Sequence, residues 1–220
     1  MLRIKLFHFN PLEACCAVMA AEGSSQCVIS DPGMYDESER EALLELLRKE
    51  GLTPVAVLLT HGHFDHIFGA AFLQKRFGIP VYMHPDDKKT VSLSPAFAEY
   101  FSSVSIDTDF ETTDIRDGEV LSLAGISFRV ITTPGHTPGG VCYYAESDSV
   151  LLSGDTLFAG SIGRSDLPGG DYDRLISSVL NRIMTLPGDT DVIPGHGPVT
   201  TIARESTTNP FLQPFNEPDF

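Results

Sequence analysis

The sequence predicts a layered α/β or α+β fold, and three features carry that prediction. Short apolar or alternating segments of strand length come in sets, each half of the chain closes its set with an amphipathic helix, and turn residues punctuate the joints. Neither an internal repeat nor a low-complexity stretch competes with this reading.

Residues 2–7 alternate apolar and polar side chains, the period of a half-buried strand. Further strands are expected at 14–20 and 26–30, the last ended by Asp31-Pro32-Gly33. A helix over 37–50 places Leu43, Leu44, Leu46 and Leu47 on one face and stops at Gly51. Residues 55–59 form a short apolar strand that runs into Thr60-His61-Gly62-His63. The pattern continues with a helix over 67–77, stopped by Gly78, and a strand at 79–83. Segment 85–109 is less regular, contains Phe97, Tyr100 and Phe101, and is expected to be a helix-bearing excursion or a lid.

Strand signals return at 120–123, 126–131, 141–144 and 150–153. Residues 171–186 form the clearest amphipathic helix, with Leu175, Val179, Leu180, Ile183 and Met184 on its apolar side. A strand at 191–193 and a brief helix near 200–206 follow. Pro210, Pro214 and Pro218 make 209–220 an irregular tail, packed through Phe211, Leu212 and Phe215 or loose.

The chain has 220 residues, the size of one domain spanning 1–220. Its hydrophobic fraction of 42% is that of an ordinary globular protein, and a core of this size needs no disulfide. Cys15, Cys16, Cys27 and Cys142 all sit in apolar stretches and read as reduced core residues of a cytoplasmic protein. The opening alternation is unlike a signal peptide, and every apolar run is far shorter than the ~20 residues that span a bilayer. A net charge of −15 excludes nucleic acid and a polybasic membrane patch. The acids at 107–119 read as a solvated surface. A small-molecule substrate remains as partner, met by a monomer or homodimer.

Five of the seven histidines lie just after apolar strands: His61, His63, His66, His136 and His196. Asp65 and Asp155 occupy comparable places. Four strand ends therefore deliver imidazole or carboxylate groups, the ligands of zinc and also of iron or manganese. His61 and His63 alternate across Gly62 and can aim both rings at one ion. Asp65 and His66 follow too closely to join them there, so one loop suggests two adjacent metal positions. Asp155 offers two oxygens and can bridge them. Gly62, Gly135, Gly139, Gly140, Gly154, Gly195 and Gly197 flank these residues and permit close backbone approach.

His-x-His-x-Asp-His followed by Gly-His, Gly-Asp-Thr and Gly-His-Gly resembles the metallo-β-lactamase superfamily from about residue 15 to about 198. The resemblance implies a four-layer αββα sandwich with the site at one edge. It also implies one metal on His61, His63 and His136, a second on Asp65, His66 and His196, and Asp155 between them. Within the superfamily the chain is most similar to glyoxalase II, the hydroxyacylglutathione hydrolases. Asn10-Pro11-Leu12, Asp31-Pro32-Gly33, Gly154-Asp155-Thr156-Leu157-Phe158 and Gly163-Arg164-Ser165-Asp166 carry that likeness. The short single-domain form is the better match, because the helical glutathione-binding domain of the longer form has no counterpart after His196.

That likeness implies a thioesterase cleaving S-2-hydroxyacyl conjugates of a glutathione-type thiol. Two divalent ions, zinc before iron or manganese, would supply a hydroxide shared between them at neutral pH. Asp65 is expected to orient that nucleophile as well as to ligate. Thr60, Thr137 and Thr156 are candidates for fixing the ligands. Arg164 and Tyr143 are candidate substrate contacts; an Arg164–Asp166 pair and a core-facing Tyr143 are the structural alternatives. His8 and His84 are not expected to bind metal. Competing readings are a persulfide dioxygenase with one iron on His61, His136 and Asp155, and a lactonase. A catalytically silent module is disfavoured, since no ligand position is lost.

Overall fold

The computed structural model describes residues 2–213. The opening alternation becomes β1 (Leu2–Phe9), which turns back into β2 (Ala14–Ala21) in antiparallel register from Leu2↔Ala21 to Phe9↔Ala14. β3 (Gln26–Ser30) then leads to α1 (Glu37–Glu50). Asp36 caps this helix by accepting from the Glu39 amide, and Gly51 closes it in the left-handed region at φ 64°. β4 (Thr53–Leu58) runs parallel to β3 and delivers the chain to the first histidine loop. α2 (Phe64–Ile67), α3 (Ala70–Phe77), β5 (Val81–Met83), α4 (Lys88–Ser102) and β6 (Thr112–Asp114) complete this half.

The second half begins with the meander β7 (Val120–Leu123), β8 (Ile126–Thr132), β9 (Val141–Ala145) and β10 (Val150–Gly154). A small hairpin follows, β11 (Leu157–Phe158) with β12 (Ser161–Ile162), then α5 (Tyr172–Ser178), β13 (Asp191–Pro194), β14 (Thr200–Thr201) and α6 (Ile202–Thr208). The strands form two six-stranded sheets, ordered β1-β2-β3-β4-β5-β6 and β14-β13-β10-β9-β8-β7.

Strand periodicity sorts the side chains into layers. In β2, Cys15, Ala17 and Met19 face the opposite sheet and, with Val28 and Leu58 of their own sheet, pack on Phe128, Val130, Tyr143 and Leu152 in the central core. Cys16 and Val18 point the other way, against Leu43, Leu47 and Leu73 of α1 and α3. The second sheet repeats the device, setting Cys142, Tyr144, Leu151 and Val192 against Leu175, Val179 and Ile202. The result is helix, sheet, sheet, helix: the αββα sandwich. Among the described residues no helix is long and apolar enough to cross a membrane.

Several expectations change. The helix expected over 67–77 is two helices, because the Gly69 N–H donates to the Pro32 carbonyl at 2.6 Å instead of back along the helix. The helix over 171–186 is α5 followed by a wider π turn at Val179–Ile183. The segment 85–109 supplies α4. Leu212 of the tail is fully buried in the outer core and Phe211 is exposed, whereas Phe215 lies outside the described residues. β6, β11, β12 and β14, the last in place of the start of the helix expected near 200–206, were not expected; they are two or three residues long and lack an apolar period.

Tyr143 is a correction. It is fully buried between the sheets, its hydroxyl donating to the Leu59 carbonyl at 2.9 Å, and it contacts no cleft. Strand parity decides this, since its neighbour Tyr144 takes the helix-facing side. Tyr143→Phe should therefore cost about 1 kcal/mol in denaturant unfolding, and a changed KM would contradict the core assignment.

Candidate metal centre

The strands β4, β8, β10 and β13 all release their chains at one edge of the sandwich, and each release carries a donor group. His61 and His63 follow β4, His136 follows β8, Asp155 follows β10 and His196 follows β13. Asp65 and His66 sit on α2, directly after His63. All seven sequence-predicted residues come together.

Their ligating atoms fall into overlapping groups of three, within 4.8 Å of one another: His61, His63 and His136; His61, His66 and Asp155; Asp65, His66 and His196. His136 Nε2 lies 3.3 Å from His61 Nε2 and 2.9 Å from His63 Nδ1. His66 Nε2 lies 3.2 Å from His196 Nε2, and Asp65 Oδ2 is 3.3 Å from the latter. Asp155 stands between the groups, with Oδ1 3.4 Å from His66 Nε2 and Oδ2 3.4 Å from His136 Nε2. Its buried Oδ1 has no hydrogen-bond partner.

The rings are turned to present lone pairs inward. His136 Nδ1 donates to the Arg164 carbonyl at 2.7 Å, and His196 Nδ1 to the Leu12 carbonyl at 2.9 Å. A carbonyl accepts only, so each Nδ1 carries a proton, and in the neutral imidazole that leaves Nε2 as the bare, ligating nitrogen. Thr60 Oγ1 donates to Asp31 Oδ2 and thereby accepts from His61 Nδ1. His66 Nδ1 faces Asp31 at 3.3 Å. Bare nitrogens cannot bond one another. Four donors around a cation at about 2.0–2.1 Å are spaced about 3.3 Å apart, which is the spacing seen. The donor set fits a metal-binding His/Asp cluster for divalent cations.

Burial enforces the neutral, ligating form at two positions. Burial, reinforced by the neighbouring histidines, drives the His61 pKa far down, and burial followed by His136 takes His63 to about 3. His66 behaves oppositely. Burial disfavours its charge, but Asp65, Asp155 and Asp31 together overcome this and raise it to about 10. Asp65 is held well below the usual carboxylate range: burial raises it, and His66 and His196 more than reverse that.

Three supporting residues were missed as parts of the site. Asp87 is fully buried and accepts from Gly62 N at 2.7 Å, Thr137 Oγ1 at 2.9 Å and Gly139 N at 2.7 Å. It thereby fastens the His61–His63 loop to the His136 loop. Asp31, at φ 42°, orients Thr60 and faces His66. Asn10, at φ 58°, donates to the Asp65 and Gly33 carbonyls. The Asn10-Pro11-Leu12 and Asp31-Pro32-Gly33 turns were visible as motifs, though not as supports; Asp87 left no signal. Thr60 and Thr137 brace the site as expected, and Thr156 pairs with Thr133. Gly195 is required where it stands, since a Cβ there would strike the Asp155 carboxylate.

A cleft of about 430 Å³ opens over the cluster, floored by His63, Asp65, His136, Asp155 and His196. Arg164 lines it, but its guanidinium is held by Asp166 in two bonds of 2.7 and 2.8 Å. His8 and His84 belong to none of the donor groups.

Fold and site together define a metallo-hydrolase type of protein. The chain belongs to the metallo-β-lactamase superfamily, whose family model matches residues 16–196. Among curated relatives, the hydroxyacylglutathione hydrolase GloC of Haemophilus influenzae is 34% identical, over 96% of this chain and 98% of its own. Among solved structures, BLEG-1, a B3 metallo-β-lactamase, is 40% identical with a TM-score of 0.87, covering 96% of this chain and 99% of that one. TTHA1623 in a di-iron-bound form is 39% identical with a TM-score of 0.84, covering 94% and 100%.

Two measurements test this geometry. Asp87→Ala strands three buried donors and should cost about 3 kcal/mol or more in unfolding free energy; a loss under about 1 kcal/mol would remove Asp87 from its fastening role. The second concerns chelated protein. His66, raised to about 10, contributes stability that is complete below the ordinary value of 6.5 and is lost as pH climbs towards 10. His61 and His63 are depressed, so below 6.5 the unfolded chain takes up protons that the fold refuses. Urea midpoints of the chelated protein should fall on both sides of about pH 6.5, and His66→Asn should flatten the alkaline limb.

Proposed function

We propose that the protein is a thioester hydrolase of the hydroxyacylglutathione hydrolase type, working with two divalent cations. The observation that carries this reading is the pair of donor groups with Asp155 standing between them on the floor of one cleft. His61, His63 and His136 would hold one cation and Asp65, His66 and His196 the other, with Asp155 serving both. Zinc suits the donors best, and the di-iron form of TTHA1623 keeps iron in view. Such cations supply a Lewis acid for the acyl oxygen and a water acidified to a pKa of about 7.

The chain's own residues do the rest. Asp65 combines a depressed pKa with a place on the cleft floor, so its carboxylate stays ionised and accepts a proton-bearing contact from the attacking water. Asp31, Thr60 and the carbonyls of Leu12 and Arg164 fix the imidazoles, which keeps the floor rigid while acyl groups change above it. The Haemophilus influenzae relative supports the acyl-thioester class. BLEG-1 favours a second acyl donor, a β-lactam, as an additional reading.

Elemental analysis beside assays with an S-2-hydroxyacyl glutathione, a lactone and a β-lactam would decide among these. The expected result is two metals per chain and thioester cleavage. A single iron with oxygen uptake on glutathione persulfide, and no thioester cleavage, would overturn the proposal. Asp65→Asn should lower kcat/KM by about 100-fold or more, with the fold retained.

A further inference from the structure

The cleft walls carry a specificity that its metal-ligating floor does not set. One wall is a run of near-parallel phenylalanine rings. Phe64 and Phe101 stack with centroids 6.1 Å apart and planes 4° apart, and Phe97 and Phe101 at 6.1 Å and 8°. Phe64 lies between His63 and Asp65 in the chain, so this aromatic column starts at the reactive floor. Phe101, half exposed, forms the outer end. The facing wall is made by Phe158 and Ile162 of the β11–β12 hairpin and by Leu167.

Both walls are fixed in place. Ser94 Oγ, itself buried, donates to the Gly62 carbonyl at 2.7 Å, which registers α4 on the metal loop one turn before Phe97. Glu205 accepts from Gly160 N at 2.7 Å, and Asn209 Nδ2 donates to the Ser161 carbonyl at 3.0 Å, so α6 braces the hairpin. A preformed apolar cleft over a polar floor is a binding site for an apolar group attached to a reactive one.

Charge argues the same way. Arg164 is the one cationic side chain among the described residues that line the cleft, and Asp166 already occupies it. A glutathione moiety, whose two carboxylates outweigh its one ammonium, would find no unpaired Lys or Arg among the described lining residues, in a chain of net charge −15.

We infer that the cleft selects thioesters whose thiol half is an uncharged alkyl or aryl group, and that Phe97 and Phe101 set this preference. The inference rests on the thioesterase reading. In the reaction, water adds to the acyl carbon and the C–S bond breaks with its electron pair leaving on sulfur. The products are a carboxylate, a proton and a neutral apolar thiol, which the aromatic column holds until release.

The test uses the metal-loaded protein and S-methyl, S-butyl and S-hexyl thioesters of one 2-hydroxy acid, beside the glutathione thioester. These alkyl thiols have similar acidity, so the series reads binding and not leaving-group strength. A fully buried methylene is worth about fourfold, so kcat/KM should rise about two- to fourfold per methylene. The glutathione thioester should fall at least tenfold below the S-hexyl compound. Phe97→Ala and Phe101→Ala should each flatten the hexyl-to-methyl ratio. Binding of hexyl methyl sulfide, followed by calorimetry, should weaken in the same variants. A flat series, or a preferred glutathione thioester, together with no sulfide binding, overturns the inference and leaves the thioesterase reading intact. Failure to cleave any member of the series overturns both.

Discussion

The structure turns on one electrostatic constraint. Five imidazoles and two carboxylates are packed at a single sheet edge with their electron pairs aimed at one another. Such an arrangement is repulsive among bare nitrogens and costly for a lone buried carboxylate oxygen. It persists because four of the five rings are held from behind, His61 by Asp31 through Thr60, His66 by Asp31, and His136 and His196 by the Arg164 and Leu12 carbonyls, and because burial disfavours the extra proton on His61 and His63. The inward-facing pairs are thus a consequence of what stands outside the ring, and a divalent cation is the species that relieves them.

The sandwich makes that convergence cheap. Two sheets meeting through Met19, Leu58, Phe128 and Tyr143 fix the relative position of their edges without any help from the site. The loops then need only local fastening. Asp87 performs most of it, drawing the first histidine loop and the His136 loop onto one carboxylate. Its burial raises its pKa, and the two amides and one hydroxyl that it accepts work against that shift. Stability and site geometry are therefore coupled through a residue that touches neither metal ligand side chains nor cleft.

Much of this was legible in the chain because the governing signals are local. Strand period, helix faces and the spacing of His61, His63, Asp65 and His66 are all readable within a few residues; they imply α/β or α+β layers, and the resemblance of the motifs to the superfamily implied the αββα order. Tyr143 was misjudged as a substrate candidate because adjacent tyrosines in an apolar strand differ only in parity, which the sheet decides. Asp87 could not be found, since its partners lie 25, 50 and 52 residues away. The hairpin that walls the cleft owes its form to Glu205 and Asn209, again a long-range debt. Arg164 shows a third case: its place beside the cleft and its pairing with Asp166 were both foreseen, because the partner stands two residues on.

The parity that separates Cys15 from Cys16 has a chemical consequence. Each thiol is sealed in a different apolar layer, and burial lifts Cys15 and Cys27 to about 12 and Cys142 to about 11, and pushes Cys16 well above the ordinary thiol value. Thiolate is the form that attacks peroxide and the form that captures soft cations. Held as thiols, the four sulfurs stay outside the competition for zinc or iron and offer oxidants little to react with. The protein can thus keep its cysteines as packing material beside a metal centre, free of the exchange that an exposed thiolate would bring.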